Sequence, residues 1–102
     1  MSTPPAEAST FAPSPADAAR QLGHWLDAQG HLTQWPTRRK LQRYAVFYLV
    51  AKFERGRRYS EREVNDLLDT WAAFRDAALL RRTMIEEHLL ERTPDGREYW
   101  VA

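Results

Sequence analysis

The chain has 102 residues, 43% of them hydrophobic and 12% aromatic, a size and composition that suit one compact domain with a packed core. It contains no cysteine, which excludes disulfides, thiolate metal sites and thiol nucleophiles. The formal net charge is only +1, and no secretory signal or apolar run of roughly 20 residues is present, so we expect a cytoplasmic protein that does not act in a membrane.

The N-terminal region divides into a tail and a first helix. Residues 1–14 are rich in Ser, Thr, Pro and Ala and predict a flexible tail ahead of a single domain over residues 15–102. Ser14 followed by Pro15 is typical of a helix start, and apolar residues recur at helical spacing up to Leu26, with Gly30 as the predicted end. The segment HLTQWP that follows predicts a linker or a short strand.

A second helix is predicted from the basic cluster onwards. Thr37 is its expected cap, apolar residues recur at three- and four-residue intervals from Leu41 to Phe53, and Gly56 is its expected end. Four cations occupy its first turns, where they oppose the helix dipole. The apolar positions extend around much of the helix, so we expect it to be central and contacted from more than one side.

The third helix has the clearest start in the sequence. Ser60 and Glu63 match the capping box, in which each side chain accepts a hydrogen bond from the other residue's backbone. Behind them an apolar stripe follows at helical spacing, formed by Val64, Leu67, Leu68 and Trp71. We therefore predict a helix that begins at Ser60 with a fixed register.

The C-terminal third predicts a fourth helix and a hairpin. The helix is expected from about Arg75 to Glu87, with its core face formed by Ala77, Leu80, Ile85 and either Ala78 or Met84. The sequence LLERTPDGREYWVA then places a Pro-Asp-Gly turn between two apolar segments. The predicted fold class is mainly α with a small β-hairpin, similar to a winged helix-turn-helix.

Charge is unevenly distributed along the chain. From Arg38 to Arg62, nine basic residues stand against two acidic ones, a local charge of +7, whereas from Glu63 to the end five Arg stand against nine Asp or Glu, a local charge of −4. Basic residues that neutralise phosphates release counterions and so add salt-dependent affinity for nucleic acid. The candidate nucleic-acid-binding residues are Arg38, Arg39, Lys40, Arg43, Arg55, Arg57, Arg58 and Arg82.

The acidic half bears on how such binding would occur. A winged helix normally contacts DNA with the second helix of its helix-turn-helix and with the wing. Five acidic residues lie on or near those elements: Glu86, Glu87, Glu91, Asp95 and Glu98. They disfavour standard docking, so the basic helix and the turn through Arg58 are the expected contact surface.

Four segments together resemble a bacterial family. WPTRRKLQ, KFERGRRYSEREVNDLL, FRDAALLRRTMIEEHLLER and DGREYW look like domain of unknown function 2087, and the likeness covers a core from Trp35 to Trp100. Members occur alone or fused to helix-turn-helix regulators, which implies a link to gene regulation. The family pattern usually has Gly where this chain has His88, a position suited to a left-handed helix cap.

Other classes of function have little support in the sequence. No two histidines are four apart on one helix, as helical metal coordination favours, and no Ser-His-Asp order or glycine-rich phosphate loop is present. We therefore expect neither an enzyme nor a cofactor, metal or small-molecule substrate. Two hypotheses remain open: a module for nucleic-acid binding in transcription regulation, or a protein-interaction module, homodimeric or with another partner, anchored by Trp25 or Trp35.

Overall fold

The computed structural model describes residues 11–102. Within this range four α-helices precede a two-stranded antiparallel sheet: α1 Pro15–Leu22, α2 Arg39–Val50, α3 Glu61–Trp71, α4 Ala77–Glu86, β1 Leu90–Arg92 and β2 Tyr99–Val101. A short 3-10 helix, Gly23–Trp25, follows α1. The chain is thus mainly α with a small hairpin, as the sequence predicts. The tail predicted over residues 1–14 lies largely outside the described residues, apart from residues 11–14.

The first helix begins where predicted and ends earlier. The Ser14 hydroxyl accepts a hydrogen bond from the Asp17 backbone N–H at 3.0 Å, as an N-cap does. The predicted end at Gly30 is wrong, because Gly23 adopts a φ of +52° and stops the α-helix at Leu22. Gly30 instead closes a turn, with its N–H bonded to the Asp27 carbonyl, and this turn lets Leu26 bridge to Leu32.

The second helix differs from the prediction at both ends. Its N-cap is Arg38, which makes no side-chain capping bond, so Thr37 is not the cap. It ends at Val50 rather than at Gly56, and residues 51–53 continue as a turn. Its residues Ala45, Val46 and Leu49 are fully buried. α2 packs against both α1 and α4, which confirms its predicted central position.

The third helix confirms the capping box. The Glu63 backbone N–H donates to the Ser60 hydroxyl at 3.1 Å, and the Ser60 backbone N–H donates to the Glu63 carboxylate at 2.8 Å. The apolar stripe behind this cap faces the core, with Val64 and Leu68 fully buried. α3 therefore packs on α4 in a fixed register.

The hairpin, called the wing below, is anchored to the helical part of the chain by one extended residue, Tyr59, that pairs with β2. β1 and β2 pair with Leu90 opposite Val101 and Arg92 opposite Tyr99. On the other side of β2, Tyr59 exchanges two backbone hydrogen bonds with Tyr99, both at 2.8 Å. The order α2, Tyr59, α3, α4, wing is compatible with a winged helix-turn-helix.

The end of α4 contains the one strained cap among the described helices. His88 has a φ of +62°, in the left-handed region. The His88 N–H donates to the Ile85 carbonyl, and the Leu89 N–H donates to the Met84 carbonyl, which is the Schellman pattern. This position favours glycine, as the family likeness implies.

We predict that His88→Gly stabilises the protein by about 0.5 to 1 kcal/mol, because glycine removes the left-handed strain. Thermal unfolding should then shift upward by a few degrees. Ala51→Gly is the matched control, since exposed Ala51 caps α2 at a φ of −68° and glycine there gains no relief. A lower melting temperature for His88→Gly would contradict the assigned cap.

The capping box also predicts a pH dependence. The hydrogen bond from the Ser60 N–H holds the pKa of Glu63 below its ordinary value of 4.5. Because the pKa of Glu63 is lower in the folded protein, its carboxylate stabilises the fold at pH values above its pKa in the unfolded chain. This stabilisation is lost as the pH falls through the pKa of Glu63 in the folded protein. Glu63→Gln keeps the capping hydrogen bond and removes the titration.

We therefore expect Glu63→Gln to flatten the loss of stability between about pH 5 and pH 3, measured by urea unfolding at each pH. Asp66→Asn removes a carboxylate from the same helix and serves as the control, since no described residue donates a hydrogen bond to that side chain. If the free energy of unfolding of Glu63→Gln fell as steeply with decreasing pH as that of the wild type, the Glu63 carboxylate would not titrate as stated.

Candidate nucleic-acid interface

Helix α4 exposes one stripe of side chains. Asp76 caps it by accepting a hydrogen bond from the Leu79 N–H at 3.2 Å, and Leu80 and Met84 are fully buried. Residues on the opposite side of a 3.6-residue turn must then face outward. The exposed residues are Ala78, Arg82 and Glu86. Met84, not Ala78, is thus the fourth core position.

A crevice separates α4 from the start of α2, and we call it the α2 crevice. Its volume is about 120 Å³. Inside it the Arg43 Nε donates to the Glu87 carboxylate at 3.2 Å, and both side chains are half-buried. The lining residues are Trp35, Arg39, Gln42, Arg43, Leu79, Thr83, Glu86 and Glu87. Arg43 therefore ties α2 to the end of α4, and Arg39 lies beside it.

Three exposed cations crowd the N-terminus of α2. Arg38, Arg39 and Lys40 are exposed, and within residues 11–102 none of them has a carboxylate within 4.0 Å. Cations at this end of a helix add to the positive pole of its dipole and cost stability. Their charges create a region of positive potential at this end of α2, and Arg39 brings part of it to the crevice beside α4.

A second crevice, called the wing crevice, lies on the other side of α4. It has a volume of about 350 Å³. The Arg81 side chain is only 19% exposed; it donates to the Asn65 amide oxygen and lies 3.8 Å from the Glu61 carboxylate. The lining residues are Glu61, Ala78, Arg81, Arg82, Ile85, Glu86, Arg92 and Tyr99.

The arginines of the turn after α2 are engaged in structural contacts. Arg57 pairs with Glu54 at 3.3 Å and with Glu63 at 3.5 Å, and its hydrogen bond to Glu54 raises its pKa. Arg58 pairs with Glu98 at 3.4 Å and lies 3.9 Å from the centre of the Trp100 ring. These contacts attach the turn to α3 and to the wing.

The predicted binding residues thus fall into two groups. The first group lies at the start of α2, where Arg39 and Arg43 line the crevice beside α4, and on α4 itself: Arg38, Arg39, Lys40, Arg43 and Arg82. The second group follows the far end of α2: Arg55, Arg57 and Arg58. The 12 residues of α2 separate the two groups by about 18 Å. The helix start and the turn, which together are the expected contact surface, thus lie at opposite ends of α2.

Two further arginines at this face, Arg81 and Arg92, were not among the predicted residues. Arg92 belongs to the acid-rich half of the sequence, yet β1 packs on α4 and brings it to the wing crevice. The signal in the sequence was the short interval between α4 and β1, which forces the chain to return beside the helix. Charge counted along the sequence could not show this proximity.

The acidic residues of that half mostly have partners. Glu87 pairs with Arg43, Glu98 pairs with Arg58, Glu91 accepts from the Trp100 indole at 3.2 Å, and Asp95 accepts from the Thr93 hydroxyl at 2.7 Å. Within the described part of the chain only Glu86, of the five acids expected to repel phosphates, has neither a cation nor a hydrogen-bond donor. The wing and α4 are less repulsive to a polyanion than their composition indicates.

The two tryptophans considered as protein anchors are both half-buried. Trp35 lines the α2 crevice and lies 6.2 Å from the Phe74 ring, and Trp25 stacks on His24 at 5.3 Å. Among residues 11–102 no three side chains are grouped as a metal site requires. In the same residues, every helix is too short or too polar to cross a bilayer.

The comparisons with known proteins agree with the likeness seen in the sequence. Residues 31–101 match the model of the family described as "Uncharacterized protein conserved in bacteria (DUF2087)". No curated protein and no solved structure matches the chain. The matched range contains α2, α3, α4, the wing and both crevices. The chain belongs to the bacterial family of domain of unknown function 2087.

Proposed function

We propose that this chain is a small winged-helix module that binds duplex DNA through the face of α4 and acts in transcription regulation. One observation supports this proposal above all. Cations from three separate elements, α2, α4 and β1, lie on both sides of a single exposed helix. Arg39, Arg82 and Arg92 represent the three elements, and within the described residues none of them has a carboxylate within 4.0 Å.

The dimensions of α4 suit the major groove. Its 10 residues span about 15 Å, and a helix with side chains is about 10 to 12 Å wide, close to the groove width of about 12 Å. With α4 in the groove, Arg39 at the α2 crevice lies on the side of one phosphate strand and Arg92 at the wing crevice on the side of the other. Phosphate contacts, including one from Arg82, would then position the helix, and Ala78 and Glu86 would face the base edges.

A different observation favours the alternative, a protein-interaction module. An open groove of about 550 Å³ lies at the far end of α2, where Phe47, Val50, Phe53, Leu89 and Val101 supply apolar lining. Among the described residues that line it, only Arg55 and His88 have charged or ionisable side chains. Such a lining suits an apolar segment of a partner or of a second copy of this chain. The groove does not overlap the α4 face.

Salt dependence tests the DNA proposal. We predict that Arg38→Gln/Arg39→Gln lowers the slope of log Kobs against log salt concentration by about 2, because each phosphate contact contributes about 0.9 to that slope. The measurement is fluorescence anisotropy with a random duplex at several salt concentrations. Arg20→Gln/Arg55→Gln removes the same charge from α1 and from the turn and should leave the slope nearly unchanged.

Two results would contradict this account. An equal fall in slope for both double variants would mean that charge anywhere on the molecule contributes, and the α4 face would have no special role. Absence of binding at low salt, together with a stable dimer in analytical ultracentrifugation, would instead support the protein-interaction alternative.

A further inference from the structure

We propose that the wing crevice is a binding site for one phosphoryl group, either a phosphodiester of the DNA backbone or the phosphate of a small molecule. This inference goes beyond DNA binding, since the site is defined by its own geometry and can be tested without DNA.

Three arginines from two elements line the crevice. Arg81 and Arg82 come from α4, and Arg92 comes from β1. Glu61 offsets the charge of Arg81, but Arg82 and Arg92 have no carboxylate within 4.0 Å among the described residues, so an anion in the crevice would offset their charges. The planar, fork-shaped guanidinium of arginine matches the geometry of a phosphate group, so phosphate is a well-suited anion.

Arg81 is held in place at the base of the crevice. Its side chain is 19% exposed, and its orientation is set by Asn65 and by Glu61. Glu61 also accepts a hydrogen bond from the Tyr99 hydroxyl at 3.3 Å, and Tyr99 is 3% exposed. A pre-oriented donor of this kind binds a ligand at a lower cost in side-chain entropy.

Arg82 and Arg92 supply unused donors. Each guanidinium carries five N–H groups, and within residues 11–102 neither side chain has a carboxylate within 4.0 Å or a hydrogen-bond acceptor. Arg82 is exposed on α4 and Arg92 is exposed on β1. The two side chains therefore offer their donors from two different elements that line the same crevice.

The charge balance and the volume limit the ligand class. Three arginines against Glu61 and Glu86 leave the lining with a net charge of +1, which favours an anion. A volume of about 350 Å³ is at the lower end of the range for small-ligand sites, about 300 to 1,000 Å³. The crevice thus accepts a phosphoryl group with a modest substituent.

Inorganic phosphate is the probe for this proposal. We expect it to shift the side-chain Nε signals of Arg82 and Arg92 saturably in NMR spectra of the full chain, at ionic strength held constant with chloride. Arg82→Gln and Arg92→Gln should each weaken phosphate binding about tenfold or more, because each removes a charge-assisted hydrogen bond. Glu86→Gln should strengthen it, because that change removes a negative charge from the rim.

The matched control is Arg62→Gln, which removes an exposed arginine of α3 that does not line the crevice. Its phosphate affinity should stay within about twofold of the wild type, as expected for a surface charge with screened influence. Arg38→Gln/Arg39→Gln should also keep phosphate binding. That variant separates this site from the proposed DNA contact at the start of α2.

Competition identifies the source of the phosphoryl group. Displacement of bound phosphate by duplex DNA assigns the crevice to a backbone phosphodiester, whereas phosphate that stays bound beside DNA assigns it to a small phosphorylated molecule. The proposal is overturned if phosphate causes no saturable shift at low ionic strength, or if Arg62→Gln weakens binding as much as Arg82→Gln does. Either result would leave the DNA-binding proposal standing, because the salt titration tests that proposal separately.

Discussion

The burial of Leu80 and Met84 determines which side of α4 faces solvent, and both crevices depend on that orientation. The two side chains are fully buried in a core shared with α2, α3 and β1. A helix held along one stripe cannot rotate without exposing it, at a cost of about 1.5 to 3 kcal/mol for each such side chain. Arg82 and Glu86 therefore point outward, and the flanking arginines of α2 and β1 keep their places beside them.

Selective pairing of charges explains how a chain of net charge +1 can present a cationic face. Seven of its 15 basic residues lie within 4.0 Å of a carboxylate in the described structure, among them Arg57 and Arg58 at the turn. The acids are thus used largely to attach the turn, the wing and the helix ends to one another. Five cations, at the start of α2 and in the wing crevice, have no carboxylate within 4.0 Å among the described residues: Arg38, Arg39, Lys40, Arg82 and Arg92.

The sequence predicted local features well and relations between elements poorly. The Ser60–Glu63 cap, the stripe of Val64 and Leu68, and the hairpin each depend on residues close in sequence, so spacing alone revealed them. The earlier end of α1 at Gly23 was missed because Trp25 and Leu26 continue the helical spacing in a 3-10 turn and a bridge.

The candidate site was only partly predictable for the same reason. Arg38, Arg39 and Lys40 were found as a run, but the proximity of Arg92 to Arg81 and Arg82 arises from packing of β1 on α4. Likewise, the separation of the turn arginines from the start of α2 follows from the 12-residue length of that helix. Packing between elements that are distant in sequence, rather than residue type, determines which arginines lie on the same face.

The most direct test of the central claim is a titration of the ¹⁵N-labelled full chain with a short duplex at low salt, followed by amide ¹H–¹⁵N spectra. If α4 is the contact helix, the largest shifts will fall in residues 38–43, 78–86 and 90–98, while residues 55–58 and α1 change little. Shifts concentrated in residues 55–58 or in α1, or a spectrum that does not change, would contradict the account.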